Sequence, residues 1–297
     1  MKDYCADFRH YLIHVKEVSD NTLDSYLRDI KRFLAFLAET GCADPIDAAV
    51  ELIQTYTDGL KKSNKSSATI LRNVASVRCF YKYLIFSGQA SFNPAKSIKL
   101  EKPKKKFPRI LTGQEIELLL SQPDRTNVKG CRDKAMLELL YATGIRVSEL
   151  IDLNLDDIDL HAGVLRCSSE RSQRLIPVYS TAVAAVSDYV LQVRSQILSS
   201  EGGRALFINL NGRRLTRQGF WKIIKTYARQ ANIVKEITPH TLRHSFALHL
   251  LENGAELKDI QAMLGHADIS STQVYVHLLN DHFKEVYRHC HPRAKLG

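Results

Sequence analysis

The chain has 297 residues, 44% of them apolar and 25% charged, with a formal net charge of +10. This length favours two domains, each with its own core, and the balance is that of a folded globular protein rather than a disordered one. No apolar run approaches the roughly 18 residues of a membrane span. The opening M-K-D-Y-C-A-D-F-R-H holds no signal-peptide core, so a cytoplasmic protein without a membrane partner is expected. Cys5, Cys42, Cys79, Cys131, Cys167 and Cys290 are scattered, with no C-x-x-C pair, which reads as free thiols rather than a disulfide framework or a metal site. Residues 1–110 hold 19 Lys+Arg against 12 Asp+Glu, so most of the net positive charge lies in roughly the first third. Such a surface suits a polyanion, nucleic acid first, though it would also serve solubility alone.

In chain order, an amphipathic helix is expected near 2–17. A second opens with cap-type Ser19 and Asp20, repeats Leu23, Tyr26, Leu27, Ile30, Phe33, Leu34 and Leu37 at helical spacing, and ends by Gly41 and Pro45. A third covers about 46–60 and a fourth runs from a cap near Ser66 to Gly88, making residues 1–96 a small four-helix domain. Lys65, Arg72, Arg78 and Lys82 flank the fourth helix's apolar stripe, either as a solvated face or as a face toward DNA. The stretch 97–111, with two prolines and Lys104, Lys105 and Lys106, reads as a basic linker that could track a phosphate backbone and let the domains close on a duplex.

Thr112 with Glu115 forms a capping box that starts the second, larger domain, 112–297. An apolar helix ends near Tyr141. The alternating V-L-R-C-S-S-E-R-S-Q-R-L-I-P-V predicts a β-hairpin over about 163–178. Helices follow near 181–198, 216–230, 239–253, 256–264 and 271–288. The fold class is therefore mainly α, with a small β-sheet or hairpin in an α-rich C-terminal domain.

The chemistry-bearing stretch is T-P-H-T-L-R-H-S-F-A-L-H, residues 238–249. Thr238 is a good N-cap and Pro239 belongs at N1, so His240 stands in the first turn with Arg243 on the same face, an arrangement suited to a phosphate. His240 and His244 have H-x-x-x-H spacing, but the residues between them are T-L-R, with no glutamate and a repelling arginine. Zinc is not expected. Upstream, T-G-I-R-V-S-E-L sets Arg146 just after a glycine turn; downstream, L-G-H-A-D-I-S-S-T-Q-V-Y ends a helix at Gly265 and places His266 nine residues before Tyr275.

These three segments, in content, order and spacing, resemble the tyrosine recombinase family. The four-helix segment is similar to that family's core-binding domain. The moderate length and the ending H-C-H-P-R-A-K resemble the bacterial Xer branch. The resemblance implies site-specific DNA recombination with Arg146, His240, Arg243, His266 and Tyr275 as catalytic residues. Tyr275 would attack the scissile phosphate to give a 3′-phosphotyrosine, and neither metal nor other cofactor would be needed. The arginines would bind the non-bridging oxygens, His240 would take the tyrosine proton, and His266 would hydrogen-bond the phosphate. His244 and His249 are read as structural. The implied partners are a double-stranded recombination site, a homo- or hetero-tetramer on DNA, and a second recombinase or a DNA translocase, in a nucleoid-associated setting.

One family feature is missing. The pattern G-K-G-x-K-x-R-x-I-P supplies a hairpin lysine as general acid, whereas this chain reads S-S-E-R-S-Q-R-L-I-P, with Ser169 or Glu170 in the lysine column. Arg171 and Arg166 are the nearest bases. Arg171 could replace the lysine electrostatically, the activity could be slow, or the chain could be a DNA-binding relative that no longer cuts.

Overall fold

The computed structural model describes residues 3–100, 109–169, 172–199 and 202–265. Contacts within the chain divide it into two compact units, Met1–Lys106 and Phe107–Gly297. No helix among the described residues is long and apolar enough to cross a membrane.

The first unit holds α1 (Tyr4–His14), α2 (Asp20–Glu39), α3 (Val50–Lys62) and α4 (Ser67–Phe86). Ser19 occupies the N-cap position of α2 without a cap hydrogen bond from its side chain, and Ser66 Oγ caps α4 by accepting the Thr69 amide at 3.2 Å. Helix α4 packs on the other three, and Phe8, Leu12, Ile30, Phe33, Ile53, Val77, Phe80 and Leu84 are fully buried around it.

Two of the four basic residues flanking α4 serve this packing instead of facing outward. Arg72 pairs with Asp29, a carboxylate with no solvent exposure, and also donates to Ser25 O at 3.2 Å; Ser76 Oγ donates to the same Asp29 oxygen at 3.0 Å. Arg78 donates through Nε to Ala95 O at 3.0 Å and through Nη2 to Ile98 O, fixing the 3-10 turn Pro94–Ser97 against α4. Their guanidiniums answer buried acceptors, which is a structural role. Lys65 and Lys82 stay exposed. Residues near both ends of the expected 97–111 linker belong to the two cores. Ile98 is buried in the first core and Leu111 in the second, while Lys104, Lys105 and Lys106 lie outside the described residues.

The second unit begins with α5 (Gly113–Ser121), opened by the expected capping box: Thr112 Oγ1 accepts the Glu115 amide at 3.2 Å and Glu115 Oε2 accepts the Thr112 amide at 2.7 Å. Helix α6 (Val128–Thr143) is buried on nearly every face. It runs two residues beyond Tyr141 and stops at Gly144, whose φ of 59° belongs to the left-handed region. A Cβ there would also lie 2.3 Å from the Phe246 ring. After α7 (Val147–Asp152) come β1 (Ile158–Asp159), β2 (Val164–Ser169) and β3 (Ser172–Pro177), an antiparallel sheet in that order. The hairpin matches its expected span; the two-residue β1 is too short to leave a pattern. The helix expected over 181–198 divides into α8 (Ser180–Asp188), a π-helical turn Tyr189–Val193 and α9 (Arg194–Ile197). Tyr189 stacks on Phe207 there, and its hydroxyl accepts the Ile208 amide at 3.2 Å. Then follow α10 (Arg217–Gln230), α11 (Pro239–Glu252) and α12 (Leu257–Leu264). The helix expected over 271–288 lies outside the described residues.

Removing Arg72 leaves a fully buried carboxylate without its cation. Arg72→Ala is expected to lower unfolding stability by about 3 kcal/mol, while Lys65→Ala should stay within about 0.5 kcal/mol of the parent. Urea denaturation followed by circular dichroism checks both, and equal stabilities for the two variants would remove the ion pair from its structural role.

Candidate functional site

The site is assembled at the C-terminal end of α12. The last carbonyls of a helix have no partners within it and carry its negative dipole end. Here three successive carbonyls each receive a guanidinium: Met263 O from Arg174 Nε at 2.7 Å, Leu264 O from Arg243 Nη2 at 2.7 Å, and Gly265 O from Arg146 Nη2 at 3.4 Å. Gly265 closes the helix at φ 64°. A Cβ at that position would lie 2.8 Å from Arg174 Nη1, so the residue is glycine for two reasons.

Each arginine comes from a different element. Arg146 is the N-cap of α7, where Glu149 accepts both its main-chain amide through Oε2, at 2.7 Å, and its Nη1 through Oε1, at 3.0 Å. Arg243 lies in α11 with 4% exposure and also donates to Gly144 O at 2.7 Å, tying α11 to the glycine turn before Arg146. Arg174 comes from β3, opposite Cys167 in the sheet register, and donates through Nη2 to Glu149 Oε2 at 2.9 Å. Burial alone would push the Glu149 carboxyl up. Hydrogen bonds from Arg174 and the Arg146 amide, with both guanidinium charges, outweigh it and hold the group below its ordinary value.

His240 stands exposed in the first turn of α11, behind the expected cap: Thr238 Oγ1 accepts the Thr241 amide at 3.2 Å. Its pKa is lowered by partial burial and then by the charges of Arg243, Arg146 and Arg217. The expected trio Arg146, His240 and Arg243 is thus brought together. His244, a turn below, is lowered to about 4, by burial first and then by His240 and Arg243. His249 Nδ1 shares a 2.9 Å hydrogen bond with Tyr141 Oη, a structural use.

His266, Tyr275 and Arg171 lie outside the described residues, as does Glu170. Arg166 is exposed and pairs with Leu175, so alternation along β2 turns it away from the face that carries Cys167 and Arg174. It is not placed to replace a lysine on that face. Two residues of the cluster were not singled out from the sequence. Glu149 lies three residues after Arg146, the spacing of a helix-start acceptor, and Arg174 occupies the arginine column of G-K-G-x-K-x-R-x-I-P. Beside Arg146 a cavity of about 530 Å³ is lined by Glu149, Asp152 and Asp157, carboxylates that make that side unsuited to an anion. Burial, and then Glu149, pushes the Cys167 thiol there up to about 11. Among the described residues no three His, Cys, Asp or Glu groups come together to hold a metal ion.

The model of the phage integrase family matches residues 109–282, and that of the phage integrase N-terminal SAM-like domain matches residues 5–88. Tyrosine recombinase XerD of Oceanobacillus iheyensis is 45% identical over 293 residues, covering 97% of this chain and 98% of that protein. Tyrosine recombinase XerD of Listeria monocytogenes is 41% identical over 297 residues, covering 99% and 100%. Among solved structures, the XerA recombinase aligns over 98% of both chains at 26% identity and a TM-score of 0.55. The XerH site-specific recombinase in a post-cleavage complex with its palindromic difH substrate has the same fold, at 20% identity and a TM-score of 0.73 over 90% of this chain and 79% of that one. Matched across both units, and more than 40% identical to relatives over nearly its whole length, the chain belongs to the phage integrase family of tyrosine recombinases.

Proposed function

We propose that the chain recombines double-stranded DNA at specific sites, with Tyr275 as nucleophile and Arg146, His240, Arg243 and His266 around the scissile phosphate. The observation that carries this reading is the convergence of Arg146 and Arg243 on the last carbonyls of α12, one residue before His266, with His240 within reach of their charge. Phosphodiester attack builds negative charge on the non-bridging oxygens, and fixed guanidiniums stabilise it without reorganising. His240, whose pKa is lowered by partial burial and by its cationic neighbours, takes the Tyr275 proton, and His266 donates to a phosphate oxygen. The 3′-phosphotyrosine keeps the bond energy for religation, so the chemistry calls for no nucleotide or metal.

The first unit contacts the duplex through lysines. No acidic residue occurs from 59 to 100, and Lys62, Lys65, Lys82, Lys96 and Lys99 are exposed, with Lys104, Lys105 and Lys106 following. Four protomers on two sites exchange strands in pairs through a Holliday junction, alone or with a second recombinase or a DNA translocase, on nucleoid DNA. Chromosome-dimer resolution and the mobility of an integrated element both fit this chemistry. The relatives at 41–45% identity are named tyrosine recombinases, which supports cutting over the reading as a DNA-binding relative that has lost it. Arg171 stands in for the hairpin lysine as an electrostatic partner of the leaving 5′-oxygen. A guanidinium with a pKa above about 12 is a poor proton donor.

Three outcomes test the reading. With nicked suicide DNA the parent should form a covalent adduct, and Tyr275→Phe should form none while binding DNA within about threefold of the parent, one hydroxyl counting little among many phosphate contacts. An adduct in the variant would remove Tyr275 from its role. Because a neutral His240 is the base and its pKa is lowered in the free protein, cleavage measured with protein limiting should keep its rate as pH falls to 6.5 and lose it only below. An acid limb above pH 6.5 would point to another base. With leaving-group protonation the weak step, replacing the 5′-bridging oxygen by sulfur should speed cleavage up to about 10²-fold, since a thiolate departs unprotonated. No acceleration, together with rapid cutting of ordinary DNA, would mean that another residue is already the acid.

A further inference from the structure

Arg174 has no place in the chemistry described so far, yet it is the most enclosed member of the cluster after Arg243. Its side chain is 8% exposed, and it joins β3 to α7 through Glu149 and to α12 through Met263 O. Its remaining nitrogen, Nη1, is buried against Gly265 with no hydrogen-bond partner among the described residues. A buried, unmet guanidinium N–H costs stability, a cost that the ion pair with Glu149 and the bond to Met263 O offset.

Glu149 shows what the arginine accomplishes. Its Oε2 takes Arg174 Nη2 and the Arg146 main-chain amide, leaving Oε1 alone to hold Arg146 Nη1. Arginine and carboxylate otherwise favour a two-pronged fork, and a Glu149 released from Arg174 could swing both oxygens onto the Arg146 guanidinium. The N–H groups needed for an anion would then be occupied. At its other end Arg174 fixes Met263 O, two carbonyls before the one that Arg146 holds, and so the turn at Gly265.

We infer that Arg174 is a positioning residue for strand cleavage, which holds Glu149 to a single contact with the Arg146 guanidinium and fixes the α12 turn that leads to His266. The inference rests on the proposed roles of Arg146 and His266. A lysine at 174 keeps the charge beside Glu149 but cannot reproduce the planar fork that reaches Met263 and Glu149 together.

The test measures single-turnover cleavage of nicked suicide DNA, and DNA affinity by fluorescence anisotropy, for the full chain and its Arg174→Ala, Arg174→Lys, Glu149→Gln and Arg174→Ala/Glu149→Gln variants. Misplacing a catalytic group by about 1 Å costs about 10²-fold. Arg174→Ala should therefore cleave about 10- to 100-fold slower with affinity within about threefold of the parent, Arg174→Lys should fall between, and added methylguanidine should restore part of the rate to Arg174→Ala. The double variant should be no slower than the slower single variant, since both changes break one chain of contacts. Parent-like cleavage by Arg174→Ala overturns the inference, as do additive losses with no rescue, which describe a residue that only supports the fold. If Arg174→Ala fails to fold by circular dichroism, a folded Arg174→Lys cleaving at the parent rate overturns it. A parent chain that forms no adduct overturns the proposed function and this inference with it.

Discussion

Three like charges are gathered at one helix end, and the rest of the second unit is arranged to make that tolerable. Arg146, Arg174 and Arg243 would repel one another in a bare cluster. The carbonyl end of α12, with roughly half a negative charge, and the single carboxylate of Glu149 offset part of the repulsion. What remains is a surplus of positive charge that an anion would relieve. Because the three guanidiniums come from α7, β3 and α11, the end of α12 couples those elements: displacing it disturbs every cation of the site together. Left-handed backbone frames the cluster at Gly144 and Gly265, where a side chain would strike Phe246 or Arg174.

Burial first, and then the same surplus, sets the state of the histidines. A histidine beside guanidiniums is discouraged from taking a proton, and His240 and His244 both lie below the ordinary value. The deeper His244, at about 4, stays neutral and does not compete for protons near neutrality. His240, exposed at the start of α11, is also neutral but reachable. Two histidines one turn apart are thus separated in role by depth alone.

Local signals carried most of the fold. The caps at Ser19, Ser66, Thr112 and Thr238, the glycine stop at 265 and the alternating hairpin all lie where the sequence places them, because each is a matter of neighbouring residues. Helix α6 gives no stripe because nearly all its faces are buried, and β1 is held by register with β2, which no two-residue pattern reveals. Arg72 and Arg78 resemble a basic face in a row of letters. Only the fold shows that Asp29 and the carbonyls of Ala95 and Ile98 meet them. The same limit hid Glu149 and Arg174, whose meaning lies in a contact across 25 positions of chain.

Arginine and lysine consequently divide the work in a way that net charge conceals. Arg78, Arg174, Arg194, Arg214 and Arg243 all donate to main-chain carbonyls of irregular segments or helix ends, with Arg194 reaching Gly203 and Ala205 and Arg214 reaching Ile151 and Leu153. A planar fork suits two fixed acceptors, whereas an ammonium on a flexible stem is better left in water. In the first unit Lys62, Lys65, Lys82, Lys96 and Lys99 are exposed accordingly. Charges already facing carbonyl dipoles or carboxylates release few counterions when a polyanion arrives. The chain's +10 therefore overstates the number of phosphates its arginines can meet and understates how far the exposed lysines govern long-range attraction.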